Sequence, residues 1–256
     1  MRSLKNGLFI IAGLFIMNVT AQKSERFILS FDYGTKGLTS ELSEVWPIRQ
    51  DVGYYYNNGF NSSVNLGSWM NYAGISPEYV FFDNKLSVSS GLRFINFYSE
   101  VVKSDYDNGG YYFLRVKSDG VVTDYARIRA IKEETNYLGI PLQFKFTPFD
   151  FHYISLYVKL SAELAYRIST STDIEFKDAE MASYQNAVLQ DLNVGVNKVY
   201  SSVYASLGAR YRLSDKIYCS LDVFLPAFYM TKNNSSLVNI TNISGVQFSL
   251  DIPINK

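Results

Sequence analysis

Apolar and polar residues alternate with a period of two along much of the chain. The clearest run extends from Tyr153 to Ser169. There Ile154, Leu156, Val158, Leu160, Ala162, Leu164 and Tyr166 occupy one row, and Ser155, Tyr157, Lys159, Ser161, Glu163, Ala165 and Arg167 the other. Lys159, Glu163 and Arg167 stand four apart and could ladder along a helix, but at 100° per residue the seven apolar positions would scatter over every helical face. A strand accounts for both rows at once. The same rhythm marks Phe27 to Tyr33, Leu138 to Phe146, Val203 to Arg212, Ile217 to Leu225 and Gly245 to Ile252, and predicts two longer, less regular strands at about 67–82 and 86–103.

The connections between these strands are unequal. Short ones fall at Asp83-Asn84-Lys85, Thr147 to His152 and Ser214-Asp215-Lys216, and long ones at roughly 35–66, 104–134, 172–197 and 232–241. Short and long alternate strictly, which implies an even number of antiparallel strands with both termini at the short-turn end. That is the topology of a bacterial outer-membrane barrel, with short periplasmic turns and long extracellular loops. The long segments are rich in Asn, Asp, Ser, Gly and Tyr. One of them, Gly110 to Ala130, reads as a hairpin turning at Ser118-Asp119-Gly120.

Composition narrows the choice of membrane element. Mean hydropathy is −0.04, far too low for a bundle of transmembrane helices, and 16% of residues are aromatic. After residue 22 no apolar run approaches the ~20 residues a spanning helix needs, so crossing must be by strands. Residues 1–21 read as a signal peptide: Arg2 and Lys5, then the apolar run Leu8 to Met17, then Val19-Thr20-Ala21 before Gln22. Residues 22–256 are expected to form one barrel domain. A single cysteine, Cys219, rules out an internal disulfide framework, and 24 basic residues balanced by 24 acidic ones give no electrostatic footprint for nucleic acid.

Candidate chemistry is sparse. The polar rows should face the barrel interior and carry a charge network of Arg93, Lys145, Lys159, Glu163, Arg167, Arg210, Arg212 and Asp222. A barrel of about eight strands has room for side chains and little else, so these charges are expected to pair. Residues four apart on one strand are separated by roughly 13 Å, so Lys159 and Glu163 should find partners on neighbouring strands rather than each other. The basic excess in that set leaves open a small anion-selective pore. The lone histidine, His152, falls in a short turn with no Ser/His/Asp grouping around it, and neither a His/Cys cluster nor an EF-hand spacing is present. No catalytic residue, metal or cofactor is expected, and Asp105-Tyr106-Asp107-Asn108-Gly109 reads as a turn.

Aromatic residues gather near strand ends: Trp69, Tyr72, Tyr79, Phe81 and Phe82; Phe146, Phe149, Phe151 and Tyr153; Phe224, Phe228 and Tyr229. They suit girdles at the two water–lipid interfaces, and Cys219 in an apolar row reads as a small hydrophobe facing lipid. A soluble, lipocalin-like barrel would instead turn the apolar rows inward around a ligand. The strand Asn136-Tyr137-Leu138-Gly139-Ile140-Pro141-Leu142-Gln143-Phe144-Lys145-Phe146, with Ala21-Gln22 ending the signal and Arg210-Tyr211-Arg212 in a later strand, resembles the PorT-like outer-membrane β-barrel family of Bacteroidetes. The resemblance implies an eight-stranded barrel without catalytic residues, some members of the family assisting secretion. The expectation is therefore an all-β, antiparallel up-and-down transmembrane barrel in the outer membrane. It would act structurally or through its long loops, with outer-membrane lipid around it and an extracellular or secretion-system protein as partner.

Overall fold

The computed structural model describes residues 26–42, 64–103, 110–118, 121–151, 153–192, 196–214, 216–225, 228–231 and 234–254. The signal peptide, the Asp105 to Gly109 run, the turn residues Asp119 and Gly120, and His152 lie outside the described residues. The strands are β1 (Arg26–Leu42), β2 (Val64–Phe81), β3 (Leu86–Ser90), β4 (Leu92–Lys103), β5 (Tyr112–Ser118), β6 (Val121–Asp150), β7 (Ile154–Phe176), β8 (Val199–Ser214), β9 (Ile217–Phe224), β10 (Phe228–Tyr229) and β11 (Val238–Ile254). β3 and β4 are one stave broken at Gly91, β5 and β10 pair only with β6 and β8, and β1 pairs with both β2 and β11. The result is a closed antiparallel ring of eight staves. Closure leaves no sheet edge around the ring, the condition for strands to cross a bilayer.

Side-chain direction identifies the solvent on each face. The outward row of β7 from Leu156 to Ile168 is exposed and wholly apolar apart from the ring hydroxyl of Tyr166, with Leu164 60% exposed. On β6 the outward row is Leu138, Ile140, Leu142, Phe144 and Phe146, all exposed. Twelve residues at about 3.3 Å, tilted by about 45°, give a belt roughly 28 Å tall, the thickness of a hydrocarbon core. At its upper edge Phe94, Leu138 and Tyr166 give way to Asn96, Asn136 and Ser169, whose side chains hydrogen-bond in a row around the outside. A water-soluble protein would not leave such a belt uncovered, so the barrel is a transmembrane one. The soluble reading also fails on direction, since it needs these rows inside. No helix among the described residues is long and apolar enough to cross a membrane.

The less regular alternation of β2 and β4 has a physical origin. Their inward rows mix apolar and polar residues: Ser68, Met70, Tyr72, Ser76 and Glu78 on β2, and Arg93, Ile95, Phe97 and Ser99 on β4. Two residues expected in the aromatic girdle, Tyr72 and Phe224, point inward and are buried, while Trp69 and Tyr98 do stack outside with ring centroids 4.1 Å apart. The side chains of Phe228 and Tyr229 lie outside the description. Cys219 is half-buried in an outward row, between Ile217 and Leu221.

The long connections are shorter than expected because strands continue beyond the belt. β1 runs to Leu42, β6 begins at Val121, β7 ends at Phe176 and β11 begins at Val238. The hairpin of Gly110 to Ala130 forms as β5 and the start of β6, with Ser118 opposite Val121. Above the belt, a 3-10 turn (Ala179–Tyr184) and a helix α1 (Gln185–Leu192) fold over this hairpin. Val101, Tyr112, Leu114, Ile128, Ile131, Ile174, Val188 and Leu237 form a buried apolar cap there. At the opposite end the β2–β3 connection turns through Phe82, Asp83 and Asn84, all with positive φ, and Lys85 N donates to Phe82 O at 3.0 Å.

Candidate functional site

The lumen is filled. Its lower layers are ionic and its upper layers aromatic, then apolar. At the centre Arg93 of β4 is fully buried and donates to Glu163 at 2.8 Å, to the Tyr204 hydroxyl at 3.0 Å and to Asp32. Its guanidinium also lies over the Tyr72 ring, 4.2 Å from the centroid. Asp32, Gly74 and Arg93 stand in one register row across β1, β2 and β4. A Cβ on Gly74 would come within 2.5 Å of the Asp32 carboxylate and 2.9 Å of a backbone carbonyl. Glycine is what lets the two charged side chains meet over the intervening strand.

Glu163 also accepts from Lys36 at 3.4 Å, and the Lys36 ammonium sits against three rings, at 4.1 Å from Tyr204, 5.0 Å from Tyr72 and 5.3 Å from Phe224. This cage stabilises a buried cation through the ring quadrupoles. It also explains why Phe224 and Tyr72 leave the lipid face. Tyr72 in turn lies over Gly34, its register partner on β1, where a Cβ would be 2.3 Å from the ring.

A second ionic layer lies toward the short turns. Glu78 receives Lys145 at 2.7 Å and Arg210 at 2.9 Å, and Arg210 also contacts Asp251 at 2.9 Å. Lys159 pairs with Asp222 at 2.8 Å, and Ser206 donates to the same carboxylate. Of the eight charges expected in the lumen, Arg93, Lys145, Lys159, Glu163, Arg210 and Asp222 therefore join the two layers. Arg167 stands apart at the upper rim, donating to the backbone of Val196 at 2.6 Å, and Arg212 stands at the lower mouth over the Tyr218 ring.

Four members were missed: Asp32, Lys36, Glu78 and Asp251. Asp32 and Asp251 share the inward parity of their strands and were legible on that ground. Lys36 falls in a stretch that reads as a loop, and Glu78 follows Pro77 in an irregular row. With them included the two layers hold Lys36, Arg93, Lys145, Lys159 and Arg210 against Asp32, Glu78, Glu163, Asp222 and Asp251. The lining therefore has no basic bias. Nor are the partners on adjacent strands, as expected from spacing alone. Lys36–Glu163 and Arg210–Glu78 join staves on opposite sides of the ring, and the other pairs skip one stave. In a barrel this narrow, long side chains reach across more easily than they bend back onto a neighbour.

The top of the lumen is closed by residues 234–238. This segment leaves the wall after β10 and crosses to the far side, where Glu133 of β6 accepts from Ser235 at 2.7 Å, from the Ser236 backbone at 2.9 Å and from the Ser236 hydroxyl. Ser99 bonds Ser235 at 2.7 Å, and the Tyr137 hydroxyl donates to the backbone of Asn234. Among the described residues no group of three or more His, Cys, Asp or Glu side chains could hold a metal ion.

No protein-family model matches the chain, and no curated protein does either. Solved structures similar to it are outer-membrane β-barrels. The outer membrane protein OprG from Pseudomonas aeruginosa aligns with a TM-score of 0.46 at 13% identity, over 93% of this chain and 100% of that one. Escherichia coli outer membrane protein W aligns at 0.36 and 11%, over 91% and 100%. The attachment invasion locus protein Ail of Yersinia pestis, in complex with the heparin analogue sucrose octasulfate, aligns at 0.32 and 12%, over 88% and 99%.

Proposed function

We propose that the chain is a non-enzymatic outer-membrane barrel whose lumen is a structural brace and whose working surface is the extension above the lipid belt. The observation that carries this reading is the sealed lumen: two neutral ionic layers, an aromatic layer, and the strap of residues 234–238 under an apolar cap. A conducting pore would need a continuous wet path, and the pairing leaves none of the five cations free to attract a passing anion. The extension presents a hairpin and a short helix on a packed base, a rigid platform for contact with an extracellular or secretion-system protein. Export by residues 1–21 and the resemblance to PorT-like barrels of Bacteroidetes fit the same reading.

Two measurements test it. Outer-membrane fractions run on a detergent gel with and without boiling should give a faster unboiled band, the mark of a closed membrane barrel. Purified protein in planar bilayers should give no steady conductance. Steady, anion-selective current that Arg210→Gln alters would refute the brace and favour a small pore.

A further inference from the structure

At the short-turn end the lumen opens into a cavity of about 190 Å³. This is below the ~300 Å³ at which drug-sized sites begin and suits a ligand the size of an amino acid or dipeptide. Its wall carries polar atoms with no partner of their own beside a guanidinium with no carboxylate. On one side, Glu78 is 3% exposed; Lys145 and Arg210 engage its Oε2 and Ser87 hydrogen-bonds the carboxylate, while Oε1 is left without a further partner among the described residues. The buried Oδ1 of Asn84, in the β2–β3 turn, is a second acceptor without a donor. On the other side, the Arg212 guanidinium rests 5.6 Å from the Tyr218 ring centroid and has no carboxylate within ion-pair distance among the described residues. Glu78, Asn84, Ser87, Arg210, Arg212 and Tyr218 all line the one cavity.

Buried acceptors lacking donors are costly unless something supplies the protons, and a planar guanidinium backed by a ring is suited to a bidentate carboxylate. We infer that this mouth binds a small zwitterion, an amino acid or the free end of a short peptide, with its carboxylate on Arg212 and its ammonium toward Glu78 and Asn84. Arg210 is spoken for by Glu78 and Asp251, so it does not supply the main contact. That the ligand comes from the periplasm rests on the outer-membrane reading; the cavity's chemistry does not.

The test is titration of the full-length barrel, folded in detergent micelles, with alanylalanine, its N-acetyl derivative and its C-terminal amide, followed by amide chemical shifts around Arg212 and Tyr218. Alanylalanine should saturate, and the amide should bind at least about tenfold more weakly, the loss of one charge-assisted contact. N-acetylation should weaken binding as well. Arg212→Gln should reproduce the effect of amidation, and Arg212→Lys should restore part of the affinity. No saturation by about 10 mM, or equal affinity for the dipeptide and its amide, would overturn the inference. The comparison of ligands needs no variant to fold. Recovery of the chain from the soluble fraction of cells would instead refute the outer-membrane reading and leave this titration to decide the cavity by itself.

Discussion

Replacing Glu163 with Gln is the sharpest probe of the lumen. The wild-type hub of Asp32, Glu163, Arg93 and Lys36 is neutral, and both Arg93 and Glu163 have fully buried side chains. Gln keeps the volume and one acceptor but leaves two buried cations facing a single carboxylate. At an effective dielectric near 20, one ion pair at about 4 Å is worth about 4 kcal/mol before desolvation. Breaking a buried pair by removing one member typically costs about 3–5 kcal/mol, because the other charge stays behind. Glu163→Gln should therefore destabilise the barrel by about 3–5 kcal/mol, read as a lower urea midpoint in lipid vesicles with an unchanged slope. Exchanging Arg93 for Met and Asp32 for Asn together removes one charge of each sign, leaves Lys36 and Glu163 paired, and should cost markedly less than Arg93→Met alone. A Glu163→Gln cost below about 1 kcal/mol, the range of exposed pairs, would mean that water reaches the hub. The sealed-lumen argument would then fall.

Three further outcomes follow from the same geometry. Leu160→Lys, in the middle of the β7 lipid row and 54% exposed, should destabilise by about 2–4 kcal/mol in vesicles, whereas Ser171→Lys above the belt should change stability by less than about 1 kcal/mol; equal effects would displace the belt. Gly74→Ala forces a Cβ to 2.5 Å from Asp32 Oδ1 and should cost about 1–3 kcal/mol in urea unfolding. Glu133→Gln removes the charge that holds Ser235 and Ser236, so amide exchange at residues 234–238 should quicken at least about tenfold while the transmembrane strands keep their protection. Unchanged exchange there would show that the apolar cap alone holds the strap.

How much was legible depended on which face of a strand carried the signal. Lipid tolerates only apolar side chains, so the outward rows of β6, β7 and β9 are apolar nearly throughout and the alternation is plain. The lumen tolerates anything that packs and pairs. Where it took Met70, Tyr72, Ile95 and Phe97, the inward rows became as apolar as the outward ones and the period blurred. Tyr72 and Phe224 were misassigned for the same reason: an aromatic near a strand end satisfies a girdle or a cation equally well in sequence. What distinguishes them is Lys36, which falls in the stretch from about residue 35 that reads as a loop. Gly34, just before that stretch, is the counterpart of the large ring of Tyr72 lying over it. The size complementarity is between strands, and no single strand displays it. The pairing of charges was hidden likewise, since spacing along a strand excludes a partner without naming one across the ring.

The cross-lumen pairs also bear on how the ring closes. β1 and β11, its two ends, are joined by a ladder running from Phe27–Ile254 to Leu42–Val238. Hydrogen bonds alone would tolerate a slip of two residues along that ladder, because parity and bonding pattern would both survive it. The ionic layers would not. Asp32 on β1 meets Arg93, Asp251 on β11 meets Arg210, and Ser30 of β1 donates to Asp251 at 2.6 Å across the closing seam. A shift of two residues moves a carboxylate about 7 Å along its strand and strands an arginine in the lumen at the full cost of an unpaired buried charge. The lipid face fixes only which side of each strand is out, whereas the buried charges, anchored on staves that do not touch, fix the register at which the ring can shut.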